Sequence, residues 1–236
     1  MIRILLPQNK PRRLAFFLAL EEWVAHNLSA GEYFFTWNVN PTVIIGRNQD
    51  IHAEVNLDYC NQHGIEVVRR RSGGGCVYAD RDNIMMSYIC PDTDVVSTFA
   101  RYTGMVASQL QRMGIDAEPS GRNDITVGER KISGNAYYLL ADRSIVHGTM
   151  LFDTNIAHML SAITPSKAKL ESHHVQSVEA RITMVSRIKP ELTFENFHNG
   201  LTAGLETDRI ILTDRQVKQV EEIEQNYYKP EWLYMK

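Results

Sequence analysis

The sequence predicts a domain of helices and strands together, on three observations. Short runs of β-branched and aromatic residues, among them Tyr33 to Trp37, Thr42 to Ile45 and Ile84 to Ile89, recur between polar turns. Between them lie stretches with apolar residues at helical spacing, from Leu14 to Leu28 and from Asp94 to Met113. Gly128-Glu129 separates the strand Ile125 to Val127 from a strand returning at Arg130, a two-residue connection that fits an antiparallel hairpin. With 236 residues and 44% hydrophobic content, the chain can bury a full core as one domain.

Composition narrows the function classes. A formal net charge of -3 leaves no overall footprint for a nucleic-acid partner. No apolar run approaches membrane length and Met1 to Asn9 resembles no signal peptide, so no membrane association is expected. Cys60, Cys76 and Cys90 are odd in number and widely spaced, giving neither a disulfide framework nor a zinc spacing. A reducing cytoplasmic location follows as the expectation.

Taken in order, Ile2 to Leu6 suits a strand, and Pro11 can open a helix because its missing N–H costs nothing in a first turn. Leu14, Phe17, Leu18, Val24, Ala25 and Leu28 form one apolar stripe. Glu21 falls on it and is expected to be a buried, hydrogen-bonded carboxylate. The strands Tyr33 to Trp37 and Thr42 to Ile45 are joined at Asn38-Val39-Asn40-Pro41. Gly46-Arg47-Asn48-Gln49 then leaves as a polar loop, where Arg47 is either a surface charge or a ligand contact. Val55 to His63 suits a short helix stopped by Gly64, and Ile65 to Val68 the next strand. Gly114 ends the helix of Asp94 to Met113, and Ser144 to Phe152 reads as a strand. Asp153 or Thr154 can cap a helix Ile156 to Ile163, and Thr193 one with Phe194, Phe197, Leu201 and Leu205. Thr164 to Val175 is polar and aperiodic, hence a loop, and its adjacent His173 and His174 lack zinc spacing. Thr213 with Gln216 makes a capping box opening the last long helix, before an aromatic tail from Tyr227 to Tyr234.

The chemistry concentrates in three polar sets. Arg69-Arg70-Arg71-Ser72-Gly73-Gly74-Gly75-Cys76-Val77-Tyr78 joins forked cationic donors to a glycine run that lets backbone approach a ligand. Taken alone, it could equally be a tight hairpin with a solvated basic edge. Gly121-Arg122-Asn123-Asp124 is a polar turn, and Lys131 starts a strand, a place where lysines are commonly solvated. Together they supply what ATP-dependent activation of a carboxylate requires: phosphate donors, a carboxylate suited to Mg2+, and a lysine for the reacting groups.

RRRSGGGCVYAD and GRNDITVGERKISGNAYY resemble the signature segments of lipoate–protein ligases. NPTVIIGRNQ, HGTMLFD and KAKLESHHVQSVEARIT extend the resemblance along nearly the whole chain. The resemblance implies an α+β fold of the biotin/lipoate ligase type, a mixed, mainly antiparallel sheet flanked by helices. It implies ATP, Mg2+ and lipoate as ligands, and a reaction in two steps. Lipoate and ATP give lipoyl-AMP, and a lysine on a lipoyl domain then takes the acyl group. The expected acceptors are lipoyl domains of 2-oxoacid dehydrogenase complexes or the glycine cleavage H protein.

Carried over by position, Arg70 and the backbone of Gly75, Cys76, Val77 and Tyr78 hold the nucleotide. Asn83, Asn123 and Asp124 line the adenylate site, with Asp124 near the metal. Ser72, Gly73, Gly74, His147 and Thr149 contact lipoate or support its site. Lys131, the catalytic residue, contacts both the carboxyl group and the α-phosphate. Lys167 and Lys169 lie in a loop that closes over the adenylate. The sheet face near Ile44, Val77, Met85 and Met86 is the expected slot for the lipoyl tail. The acceptor lysine must also lose a proton, which at pH 7 costs about 4–5 kcal/mol from its reference pKa; a basic site eases this.

Family members usually carry a small C-terminal accessory domain, whereas KPEWLYMK stands about where its linker would begin. The expectation is one catalytic domain over 1–236 without it. The chain then adenylates alone, works with a separate accessory protein, or transfers from preformed lipoyl-AMP. Cys76 replaces a commonly small residue. A thiol beside arginines can be a nucleophile. Related octanoyl and lipoyl transferases, however, carry their cysteine in the loop corresponding to Glu118 to Arg122, where this chain has none, so packing is expected. Against a non-catalytic lipoyl-domain binder stands the joint presence of Arg70, the three glycines, Asp124 and Lys131.

Overall fold

Two sheets carry the architecture of the computed structural model, which describes residues 1–8, 10–163 and 181–235. The expected loop with His173 and His174, and Lys167 and Lys169 within it, lie outside the described residues. The strands are β1 (Ile2–Leu5), β2 (Tyr33–Trp37), β3 (Thr42–Ile45), β4 (Glu66–Arg69), β5 (Val77–Ala79), β6 (Asn83–Cys90), β7 (Ala117–Pro119), β8 (Asp124–Val127), β9 (Arg130–Leu140), β10 (Arg143–Leu151) and β11 (Asp208–Ile211). The large sheet has the order β11-β1-β2-β6-β10-β9-β8-β7, and the small one β4-β3-β5. β1 runs parallel to β11 and β2, β3 parallel to β4, and the remaining pairings are antiparallel. The expected mixed, mainly antiparallel sheet flanked by helices is therefore present.

Helices cover both faces of the large sheet, so its central strands alternate between two cores. On one face α1 (Leu14–Asn27) packs against Tyr33, Phe35, Trp37, Met85 and Ile89. On the other, α4 (Val95–Arg112) and a later helix, Phe194–Ala203, pack against Phe34, Ile84, Met86 and Tyr88. Between β3 and β4 lie α2 (Ile51–Glu54) and α3 (Leu57–Gln62). After β10 come α5 (Ile156–Ala162), α6 (Val185–Ile188), α7 (that Phe194–Ala203 helix), α8 (Asp214–Glu224) and α9 (Pro230–Leu233).

Several sequence expectations are sharpened. The first helix starts after Arg13, not at Pro11, and every residue from Leu14 to Ala25 is buried, so its apolar surface exceeds one stripe. The expected helix over Val55 to His63 is broken at Val55, which bridges to Ile163 as a β-pair, and Asn56 caps α3. Asn155, not Asp153 or Thr154, caps α5; Thr154 instead donates to the buried Asp80. Thr193 and the Thr213–Gln216 box cap their helices as expected. Glu21 is fully buried and hydrogen-bonded, also as expected.

Candidate active site

Pairing register lines up five residues across the large sheet. Trp37 on β2 sits opposite Met85 on β6, Met85 opposite Thr149 on β10, Thr149 opposite Gly134 on β9, and Gly134 opposite Asp124 on β8. Directly opposed positions share a face, and at about 4.8 Å per strand the row spans roughly 19 Å. It runs from an indole to a carboxylate along a cleft of about 680 Å³. Leu18, Ile44 and Val77 add to the apolar lining; Lys131, Asn123 and Asn135 add to the polar lining. The Gly74–Tyr78 stretch forms another part of the wall. Met86 belongs to the opposite core with Phe34 and Tyr88, because neighbouring strand residues alternate faces; it cannot line the slot with Met85.

At the polar end, Lys131 Nζ lies 2.8 Å from Asp124 Oδ1, with both side chains about one-third exposed. Lys131 reaches this position by lying across Gly134. A Cβ there would stand 2.4 Å from Nζ and 2.5 Å from Cε. Asn123 and Asn135 are mutually bound: Asn123 Nδ2 donates to Asn135 O at 2.6 Å, and Asn135 Nδ2 to Asn123 O at 2.8 Å. Sequence reading passed over Asn135, although it lies inside the quoted KISGNA segment.

The three arginines all serve this chain's own structure. Arg70 is buried; its Nε donates to Ser72 Oγ at 2.8 Å, Nη1 to Ile44 O at 3.1 Å, and Nη2 to both Gly73 O and Gly75 O at 2.8 Å. It braces the glycine loop from within, and burial lowers its pKa to about 10, with Cys76 opposing. Arg71 donates through Nε to Glu22 at 2.6 Å and lies over Trp232. Arg69 is fully buried and bonds carbonyls on two other segments, Gly46–Gln49 and the C-terminal stretch. Arg69 and Arg71 thus point away from the cleft into the chain's own contacts, whereas Arg70 lines the cleft while bracing its loop. Gly74, at φ +94, takes a conformation that favours glycine, and a Cβ on Gly46 would meet Gly74 O at 2.2 Å, so the two loops touch backbone to backbone.

Behind the wall runs a buried polar chain. His147 Nδ1 lies 3.0 and 2.9 Å from the two oxygens of Glu21, and Nε2 lies 2.7 Å from Ser72 Oγ. A carboxylate only accepts, so the Nδ1 proton faces Glu21, while Nε2 and the Ser72 hydroxyl, which also accepts from Arg70, share the hydrogen bond on the other side of the ring. Glu21 also accepts from Ser87 at 2.5 Å and Tyr138 at 3.1 Å, which compensates its burial. This links α1 to the glycine loop.

The cleft thus gathers Lys131, Arg70, Gly74, Gly75, Cys76, Val77, Tyr78, Asn123, Asp124, His147 and Thr149. It does not gather three others. Asn83 is fully buried and donates to Thr154. Ser72 is enclosed between Arg70 and His147, and Gly73 is exposed off the cleft wall. Cys76 is no activated thiolate: burial pushes its thiol up to about 12, outweighing the lowering by Arg70. Trp37 and Leu18 were missed as lining because apolar residues read as core. A second groove of about 720 Å³ touches Trp37 but contains neither the glycine loop nor Lys131.

Residues 13–206 match the lipoyl protein ligase A/B catalytic domain family. The lipoate-protein ligase LplJ of Bacillus subtilis is 36% identical over 237 residues, covering 96% of this chain and 71% of that protein. Lipoate–protein ligase 1 of Staphylococcus aureus is 35% identical, covering 92% and 69%. Among solved structures, the bi-partite lipoate protein ligase of Thermoplasma acidophilum, described with its E2 lipoyl domain, is similar with a TM-score of 0.87 at 25% identity, covering 100% of this chain and 97% of that one. A lipoate-protein ligase A bound with ATP gives a TM-score of 0.84 at 25% identity, covering 99% and 98%. With the family match spanning most of its length and relatives above 30% identity along it, this chain belongs to the lipoate–protein ligase family.

Proposed function

We propose that the chain activates lipoate with ATP to lipoyl-AMP and passes the lipoyl group to a lysine of a lipoyl domain. The observation that carries this reading is the graded row from Trp37 through Met85, Thr149 and Gly134 to Asp124, with Lys131 at the charged end. An apolar tail fits against Trp37, Ile44, Val77 and Met85, and its carboxylate reaches Lys131. A lipoate oxygen attacks the α-phosphorus, forming an acyl–phosphate bond as the bond to pyrophosphate breaks. Lys131 offsets the repulsion between carboxylate and phosphate and the charge that develops between them. Mg2+ is taken up with few protein carboxylates plus substrate phosphates. Asp124, a cleft carboxylate beside Lys131, suits that role. In the second step the neutral amine of the acceptor lysine attacks the acyl carbon, the amide forms as the bond to AMP breaks, and the amine's extra proton passes to the departing AMP or to water.

The relatives' described ligands, ATP in one structure and an E2 lipoyl domain with another, support both steps. On this reading residues 1–236 act as one catalytic domain, and lipoyl domains of 2-oxoacid dehydrogenases and the glycine cleavage H protein are its acceptors. The test incubates the chain with lipoate, ATP, Mg2+ and an apo lipoyl domain, and in parallel with synthetic lipoyl-AMP and that domain, reading the acceptor's mass. Lipoylation from ATP is expected. Lipoylation from lipoyl-AMP alone restricts the chain to transfer, with activation supplied by an accessory protein. Failure of both refutes the reading.

A further inference from the structure

The C-terminal stretch is wired into the glycine loop through one buried guanidinium. Arg69 donates through Nε to Leu233 O at 2.9 Å and through Nη2 to Met235 O at 3.1 Å. Its Nη1 donates to the carbonyls of Gly46, Arg47 and Gln49 at 3.0, 2.8 and 2.8 Å. Trp232 Nε1 returns a bond to Arg69 O at 3.0 Å. The Gly46–Gln49 loop in turn holds the glycine loop: Arg47 N donates to Ser72 O at 2.9 Å, and Gly46 packs on Gly74. A second tie runs from Trp232 through the overlying Arg71 to Glu22 on α1. A fully buried cation with five carbonyl partners is costly to disturb and has few alternative arrangements.

We infer that Arg69 and Trp232 are positioning residues for the reaction: the C-terminal stretch holds the glycine loop in the shape that receives ATP. No ligand need touch either residue. Arg69 fixes carbonyls on the Gly46–Gln49 loop, which fixes the backbone of Ser72 to Gly75, and Trp232 holds Arg69 in place through its bond to Arg69 O. This rests on the reading of the cleft given above.

The test uses Trp232→Ala, since Trp232 is only half-buried whereas emptying the Arg69 site risks the fold. Hydrogen–deuterium exchange is expected to quicken about tenfold at the amides of 46–49 and 72–76 and to stay unchanged along β9 and β10, a local opening. In pyrophosphate release, KM for ATP is expected to rise roughly tenfold with kcat nearly unchanged, a split that simple loss of folded protein does not produce. Trp232→Phe, which keeps the ring over Arg71 but loses the donor to Arg69 O, is expected to recover only part of the ATP affinity, and full recovery would overturn the route through Arg69. Unchanged exchange at 72–76 overturns the inference. So does quickened exchange with an unchanged KM in an active enzyme. If the wild type releases no pyrophosphate, the ligase reading fails instead, and the exchange pattern alone decides whether the clasp exists.

Discussion

Replacing Gly134 with alanine tests the polar end of the cleft with a single methyl group. The added Cβ would lie 2.4 Å from Lys131 Nζ, where ordinary contact begins near 3.4 Å, so the ammonium must retreat by about 1 Å. Gly134 has no left-handed φ, so alanine fits its backbone, and Lys131 is a flexible chain that can swing aside. Removing a glycine from a strand gains about 0.5–1 kcal/mol, and loosening a partly exposed ion pair loses about 0.2–1 kcal/mol. Stability should therefore hardly change. Catalysis should suffer, because a displacement of about 1 Å at a reacting group can cost roughly 100-fold. The assay is lipoate-dependent pyrophosphate release beside thermal unfolding. Activity within about threefold of wild type would refute the placement of Lys131 at the reacting atoms. A collapse in unfolding temperature would refute the argument that the side chain absorbs the clash.

Lys131→Ala removes the same ammonium outright and should lower adenylate formation by at least about 100-fold while leaving far-UV circular dichroism intact; normal lipoyl-AMP synthesis would disprove its role. Cys76→Ala should retain activity, and iodoacetamide at pH 8 should leave the wild type unlabelled there, because burial raises that thiol to about 12; an acyl-Cys76 adduct by mass spectrometry would contradict this. His198 is held below its ordinary value by burial and by Arg3, and its Nε2 lies 2.7 Å from Thr36 Oγ1. The unfolded chain therefore takes up that proton first, and stability should fall as pH drops below about 6.5. His198→Gln should flatten the urea midpoint between pH 7 and 5, and a slope unchanged in the variant would assign it elsewhere.

Local chemistry was legible where it decides local structure. Thr193, Thr213 with Gln216, Gly64 and the Gly128-Glu129 hairpin all stand as the sequence indicates, since capping and turn geometry depend on near neighbours. Lys131 and Asp124 reach one cleft as the motif implied. The arginines show what remained hidden. Arg69 finds Leu233 and Met235, 164 and 166 residues away, and nothing in RRRSGGG indicates such partners. Met86 was a readable error, since two adjacent strand residues cannot share a face. β11 escaped notice because DRII is short and half polar, and its place is set by pairing with β1.

The position of β1 shapes how the molecule is made. Its neighbour β2 follows soon in synthesis, but β11 comes about 200 residues later: the amino group of Met1 bonds Leu205 O, 204 residues on. At about 5–20 residues per second, a ribosome takes roughly 10–40 s to deliver that partner. Through that interval β1 presents one unsatisfied edge to its surroundings. Arg3, which later pairs with Glu206, puts a charge in the middle of that edge, a device that discourages nascent chains from joining there.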